Sequence, residues 1–110
     1  MPGAAARIGD SIVTGHLCAS ATTIAGPGAV AKPVMIEGKL ASLVGDLTQP
    51  HDQLVGIVCV PHTMPIVGPG APTVIVNGKP LATMGDIVDS GTVTGGATTV
   101  FAGLTPPAVP

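Results

Sequence analysis

The nine residues Gly38-Lys39-Leu40-Ala41-Ser42-Leu43-Val44-Gly45-Asp46 return forty positions later as Gly78-Lys79-Pro80-Leu81-Ala82-Thr83-Met84-Gly85-Asp86, and a third Gly-Asp stands at Gly9-Asp10. The match extends upstream, where Val34-Met35-Ile36-Glu37 aligns with Val74-Ile75-Val76-Asn77 and Gly26-Pro27-Gly28-Ala29 with Gly68-Pro69-Gly70-Ala71. A fragment of the same unit closes the chain as Thr98-Thr99-Val100-Phe101-Ala102-Gly103. A repeat of this size is a small structural unit whose apolar face is buried only when copies sit side by side. Two full units and two half units predict a closed, roughly threefold array in which the chain ends complete one unit together.

Local signals make the unit a β-hairpin. Asn77-Gly78 joins a Thr-Val-Ile-Val run to residues 79–84, and two positive-φ residues suit a type I′ turn, so the spacing predicts a hairpin over 73–84. Pro80 lacks a ladder donor and belongs at an outward N–H position or a bulge. Glu37-Gly38 turns the equivalent hairpin, 34–44, with a weaker signal because Glu rarely takes positive φ. The partial copy at 6–10 finds its missing strand in 98–102. The segments that follow each Gly-Asp, 11–25, 47–67 and 87–94, read as loops of unequal length. No window has helical periodicity with caps, so an all-β chain with almost no helix is expected.

Composition limits what such a chain can be. At 110 residues it is a single domain, expected over 1–104 with a Pro-rich tail at 105–110. Apolar residues make up 45%, yet Phe101 is the one aromatic, so the core lacks the large rings that supply much buried area elsewhere. A thin core calls for a staple: a metal, a disulfide or a partner. The net charge of −2, with Arg7, Lys32, Lys39 and Lys79 scattered singly, argues against nucleic-acid binding. With 9% charged residues and a mean hydropathy of +0.61, an exposed apolar docking surface is expected. The first ten residues hold no apolar signal-peptide region, and no stretch approaches the roughly 20 apolar residues of a membrane helix. Synthesis in the cytoplasm follows, for a resident or for a protein exported on a machine.

Each Gly-Asp has a structural reading, a tight turn in which Asp accepts nearby N–H groups, and a catalytic one, in which three carboxylates converge. The recurrence of each Asp at one place in the repeat favours the turn. Chemistry concentrates instead in the first two following segments, which carry all the histidines and cysteines: His16 and Cys18, then His51, Cys59 and His62. His16 and His51 follow their Asp by six and five residues, so they occupy similar places in neighbouring units. Cys59-Val60-Pro61-His62 is a Cys-x-x-His spacing, and His16, His51, Cys59 and His62 would make a tetrahedral structural zinc site. Iron is the next ion such donors accept. Cys18 could replace Cys59, pair with it in a disulfide, or pack as a small apolar residue. Cytoplasmic synthesis disfavours the disulfide, and packing is the expectation.

The three Gly-Asp turns, the hairpins and the His/Cys segments together resemble the PAAR-repeat family. The matching stretches are ARIGDSIVTGH (6–16), VMIEGKLASLVGD (34–46), PHDQLVGIVCVPH (50–62), TVIVNGKPLATMGD (73–86) and TVFAG (99–103). The resemblance implies a small cone of short strands with pseudo-threefold symmetry and zinc near the point held by histidines and a cysteine. It also implies a broad base seated, one copy per spike, on a trimeric β-helical spike. Such proteins tip contractile injection machines: type VI secretion systems, phage tails and tailocin-like particles. Leu81-Ala82-Thr83-Met84 stands where many members carry an Arg before Gly-Asp, and 47–67 is long, which leaves the apex shape and the ligand set open. The short flanks suggest a bare tip with noncovalent effector cargo and transient contact with a target membrane. Two rival readings are a small zinc hydrolase with a base such as Asp52, and a zinc carrier or sensor.

Overall fold

Gly and Pro cut the chain into runs too short for anything but brief strands. The computed structural model describes residues 3–16, 18 and 20–102, and within them it contains no helix. The strands are β1 (Gly3–Ala4), β2 (Ser11–Val13), β3 (Ala21–Gly26), β4 (Met35–Ile36), β5 (Lys39–Leu40), β6 (Leu47–Thr48) and β7 (His51–Val55). They continue with β8 (Val58–His62), β9 (Ile66–Gly68), β10 (Ala71–Val76), β11 (Lys79–Leu81), β12 (Ile87–Val88), β13 (Gly91–Val93) and β14 (Phe101–Ala102). The tail at 105–110 lies outside the described residues.

Three hairpins form one layer. β10 pairs β11 across Asn77-Gly78, with φ of 51° and 81°, and β4 pairs β5 across Glu37-Gly38, with φ of 52° and 82°. Both are positive-φ pairs, as a type I′ turn requires. Glu37 adopts this uncommon conformation where its carboxylate accepts N–H groups from Thr98 (3.1 Å) and Thr99 (2.9 Å) and the Arg7 guanidinium (2.9 Å). Pro80 sits opposite Ile75, next to the register shift of its hairpin, as expected of a residue without an N–H. The third hairpin is made by the two ends of the chain: Gly3 faces Ala102 and Ala4 faces Phe101.

The repeats close on one another around an axis. Ala6 N–H donates to the Ala82 carbonyl (2.9 Å), Ala82 to Ser42 (2.9 Å) and Ser42 back to Ala6 (3.0 Å). A second cycle runs from Met84 to Ala4 (2.8 Å), Ile8 to Leu40 (2.9 Å) and Val44 to Pro80 (3.0 Å). All three residues of the first ring are small and fully buried, which lets three backbones meet at the centre. The pseudo-threefold arrangement is therefore written in backbone hydrogen bonds.

Beyond the rings the expectation of loops is corrected. The three segments following Gly-Asp are strands, joined in one six-stranded sheet of order β6-β3-β2-β13-β12-β9. A bridge between Leu47 and Pro65, with Thr48 N–H donating to the Met64 carbonyl (3.0 Å), brings the two outer strands together and nearly closes a barrel. Each of these strands places only one or two residues in the core, too few for an alternating pattern to show in sequence. Ile12, Ile24, Ile66, Val88 and Val93 fill the barrel with Ala6 and Ala82, while Ile36, Leu43, Leu81 and several alanines fill the hairpin layer. Phe101 is exposed, so the core is built entirely without aromatic rings.

Candidate metal centre

The Gly-Asp aspartates do not converge. Each closes its own turn, accepting the backbone N–H three residues earlier: Arg7 to Asp10 (2.7 Å), Leu43 to Asp46 (2.8 Å) and Thr83 to Asp86 (2.9 Å). A side chain of the same turn adds a second bond, from Arg7 Nε (3.0 Å), the Ser42 hydroxyl (3.1 Å) and the Thr83 hydroxyl (3.0 Å) respectively. These buried carboxylates satisfy otherwise orphaned donors, which is an architectural role.

From each turn the chain makes an excursion into the barrel layer and back, and the far ends of the three excursions meet. The first brings His16, just past β2. The second brings His51 and His62, which open β7 and close β8 and face each other in the ladder. The third is the shortest, and its turn, Asp89-Ser90 with φ of 53° and 61° between β12 and β13, brings Asp89. One donor atom from each of His16, His51, His62 and Asp89 lies within 4.8 Å of all the others. This cluster stands at the narrow end, opposite the hairpin layer.

The donors face one point. His62 Nε2 is 3.0 Å from His51 Nε2 and 3.1 Å from Asp89 Oδ2, and Asp89 also contacts His16 Nε2 and His51 Nε2. His51 Nδ1 lies 2.9 Å from the Gln49 carbonyl oxygen. That oxygen can only accept, so Nδ1 carries the proton and Nε2 presents its lone pair inward, the tautomer a metal ligand needs. At 3.0 Å from His62 Nε2 that lone pair accepts either a proton carried by His62 or a cation held between the two rings. Tetrahedral zinc with ligands at about 2.0–2.1 Å sets its donors about 3.3 Å apart, close to the separations His62 Nε2 makes, although Asp89 lies nearer to His16 and His51 and the four donors together span up to 4.8 Å. The donor set fits such an ion. When the imidazoles are instead protonated, burial still pushes the Asp89 carboxyl upward, but hydrogen bonds from His16 and His51 and the charges of His16 and His62 outweigh it and hold its pKa below the ordinary value.

The structure brings together His16, His51 and His62 from the expected ligand set, and it does not bring Cys59. Cys59 is joined to Cys18 in a disulfide, so neither sulfur is a free thiolate, and the expectation that Cys18 merely packs is corrected as well. The physical reason lies in the Cys-x-x-His segment. It is a strand, not a turn, and residues three apart on a strand point to opposite faces. Asp89 supplies the fourth donor. Its sequence signal was the short Asp-Ser-Gly turn at the same place in the third repeat, where threefold logic calls for a donor. Asp52, the base of the hydrolase reading, is exposed on β7 and paired opposite Pro61.

A helix-free array of three like units, tied in backbone rings and gathering one excursion from each into a His/Asp cluster, defines a small structural β-protein with a metal-type centre. The PAAR motif matches residues 22–93, and the chain belongs to the PAAR-motif family, whose members are structural proteins. No curated protein matches the chain.

Proposed function

We propose that this protein is the tip that caps and sharpens the trimeric β-helical spike of a contractile injection system. One copy seats on each spike, zinc at the His16–His51–His62–Asp89 cluster stabilises the point, and the protein leaves the cell with the particle. Effector cargo would dock noncovalently. The role is mechanical: a narrow end concentrates force on a target membrane.

One observation carries the docking. Met35, Ile75 and Phe101 hold equivalent positions on the three hairpins, opposite Leu40, Pro80 and Ala4, and are 57%, 58% and 55% exposed. Three equivalent apolar side chains on one layer are what a threefold partner would cover, and a single pseudo-threefold chain matches a true trimer without itself trimerising. The closed rings behind them keep the three anchors in register.

Co-purification with the trimeric spike protein of the same cell tests this reading. Met35→Asp combined with Ile75→Asp is expected to cut spike capture by at least about tenfold, because a desolvated charge replaces an apolar anchor at two of three positions. The melting temperature should change little, since both side chains are exposed. Full capture by the double variant would overturn the assignment of this face.

A further inference from the structure

Residues 51–62 leave the second excursion as an antiparallel ribbon, β7 paired to β8 from His51 opposite His62 out to Val55 opposite Val58. Gly56-Ile57 is the two-residue turn, and Gly56 at φ 63° suits the first central position of a type II′ turn. The histidine pair at the foot belongs to the metal centre. The tip stands four pairs further out, about 14 Å at about 3.4 Å per residue. Cys59, near the tip, is tied to Cys18 of the first excursion, so the ribbon is braced at its foot and partway along.

A two-stranded ribbon in water ordinarily buries one face. This one buries neither. Leu54, Val55, Ile57, Val58 and Val60 are all exposed, Ile57 at 97%, and no residue from Gln53 to Pro61 is buried on either strand face. No Asp, Glu, Lys or Arg occurs between Asp52 and Lys79.

We propose that the β7–β8 hairpin is a lipid-inserting probe whose tip enters the apolar region of a neutral bilayer just beneath the headgroups. An added strand or a protein groove would cover one edge or one face. Side chains apolar on both faces and at the turn match a medium that is apolar on every side. Pro61 interrupts the outer edge of β8, where a second chain would need an N–H. The uncharged stretch has nothing to offer an anionic surface, so insertion rests on apolar area alone. Asp52, three residues before Val55, bars entry beyond about 10 Å, within the usual reach of interfacial elements. The tip alone enters, because open strand edges further down cannot be satisfied in hydrocarbon. The proposal deepens the spike-tip reading by naming the surface that meets the membrane.

Flotation of the purified full-length, metal-loaded chain with vesicles of phosphatidylcholine tests it. The chain has no Trp, so Ile57→Trp reports entry through blue-shifted emission quenched by brominated acyl chains. The wild type is expected to float at low and high salt. Ile57→Asp should reduce the floated fraction on the order of tenfold with an unchanged melting temperature. Three outcomes would each overturn the proposal: a wild type that stays with the unbound protein, an unshifted Ile57→Trp emission, or a concentration-dependent dimer that Ile57→Asp abolishes. Spike capture through Met35, Ile75 and Phe101 uses the other layer and should be unaffected by Ile57→Asp, so failure here is distinguishable from failure of the spike-tip reading.

Discussion

Glu37 shows how a single residue can carry a closure that the backbone alone makes poorly. The chain ends meet in the third hairpin, yet no covalent connection crosses it. The Glu37 carboxylate bridges the gap, accepting the N–H and hydroxyl of Thr99, the N–H and hydroxyl of Thr98, and the Arg7 guanidinium. These bonds, led by the Thr99 hydroxyl and then its N–H, hold the Glu37 pKa below its ordinary value of 4.5 against an opposing desolvation effect. A depressed folded pKa means that the contribution is fully present above the ordinary value and is lost as pH falls through the folded one. Glu37→Gln is therefore expected to lower the melting temperature at about pH 7, with the gap to wild type closing as the pH falls below the ordinary value of 4.5. The group is partly exposed, so solvent screening keeps the effect modest. A gap that stays constant across that range would show that charge at Glu37 does not hold the closure.

At the scale of elements, the two Gly-Pro-Gly-Ala stretches feed the first and second excursions back into the hairpin layer, and their second glycines are squeezed there. Gly70 has φ of 70°, and a Cβ on it would lie 2.6 Å from Val44 Cγ2 and 2.8 Å from the Leu81 carbonyl oxygen. Gly78 has φ of 81° but nothing within 4 Å of such an atom. Gly78→Ala should cost about 1–2 kcal/mol from backbone strain alone. Gly70→Ala should cost about 1–3 kcal/mol more from overpacking, and urea melts of the two variants would measure the difference. Equal costs would mean that the Val44 contact yields freely. Such positions also mark what sequence could reveal. Asn77-Gly78 and the repeated Gly-Asp have strong local turn chemistry, and the repeat carries the weaker Glu37-Gly38 with them, so the hairpins, the threefold order and the meeting of the ends were legible. The barrel strands were not, because β2, β6, β9 and β12 each bury a residue or two and their pairing is settled by distant partners. Three histidines stood out as rare, ligand-capable residues, His16 and His51 of them at matching offsets. Asp89 did not, because carboxylates are common and its placement depends on the tight turn at 89–90. Cys59 was misread because strand or turn cannot be told from four residues, and that choice decides which face the sulfur takes.

For the whole molecule, the hairpin layer and the barrel differ in what holds them. Backbone rings and Gly-Asp turns fasten the three units near the axis, and every buried side-chain nitrogen or oxygen among the described residues has a partner. At the narrow end, the sheet closes only partly and the only rings that pack among the described residues are the three imidazoles of the cluster. There the disulfide links the first excursion to the second, while the four-residue cluster links all three. An ion at that cluster stabilises the folded chain by mass action, and at a thousandfold excess over its dissociation constant this amounts to about 4 kcal/mol. Removing it with a strong chelator should therefore lower the melting temperature by at least about 10 °C for a domain of this size. Two substitutions then separate the donors. Asp89→Ala is expected to weaken metal retention at least about tenfold, whereas Cys59→Ser, which cuts only the covalent link, should keep about one ion per chain. X-ray absorption of the wild type should accordingly find nitrogen and oxygen neighbours without sulfur. A sulfur neighbour, together with full metal retention by Asp89→Ala, would transfer the fourth ligand to Cys59 and undo the division of labour between staple and ion.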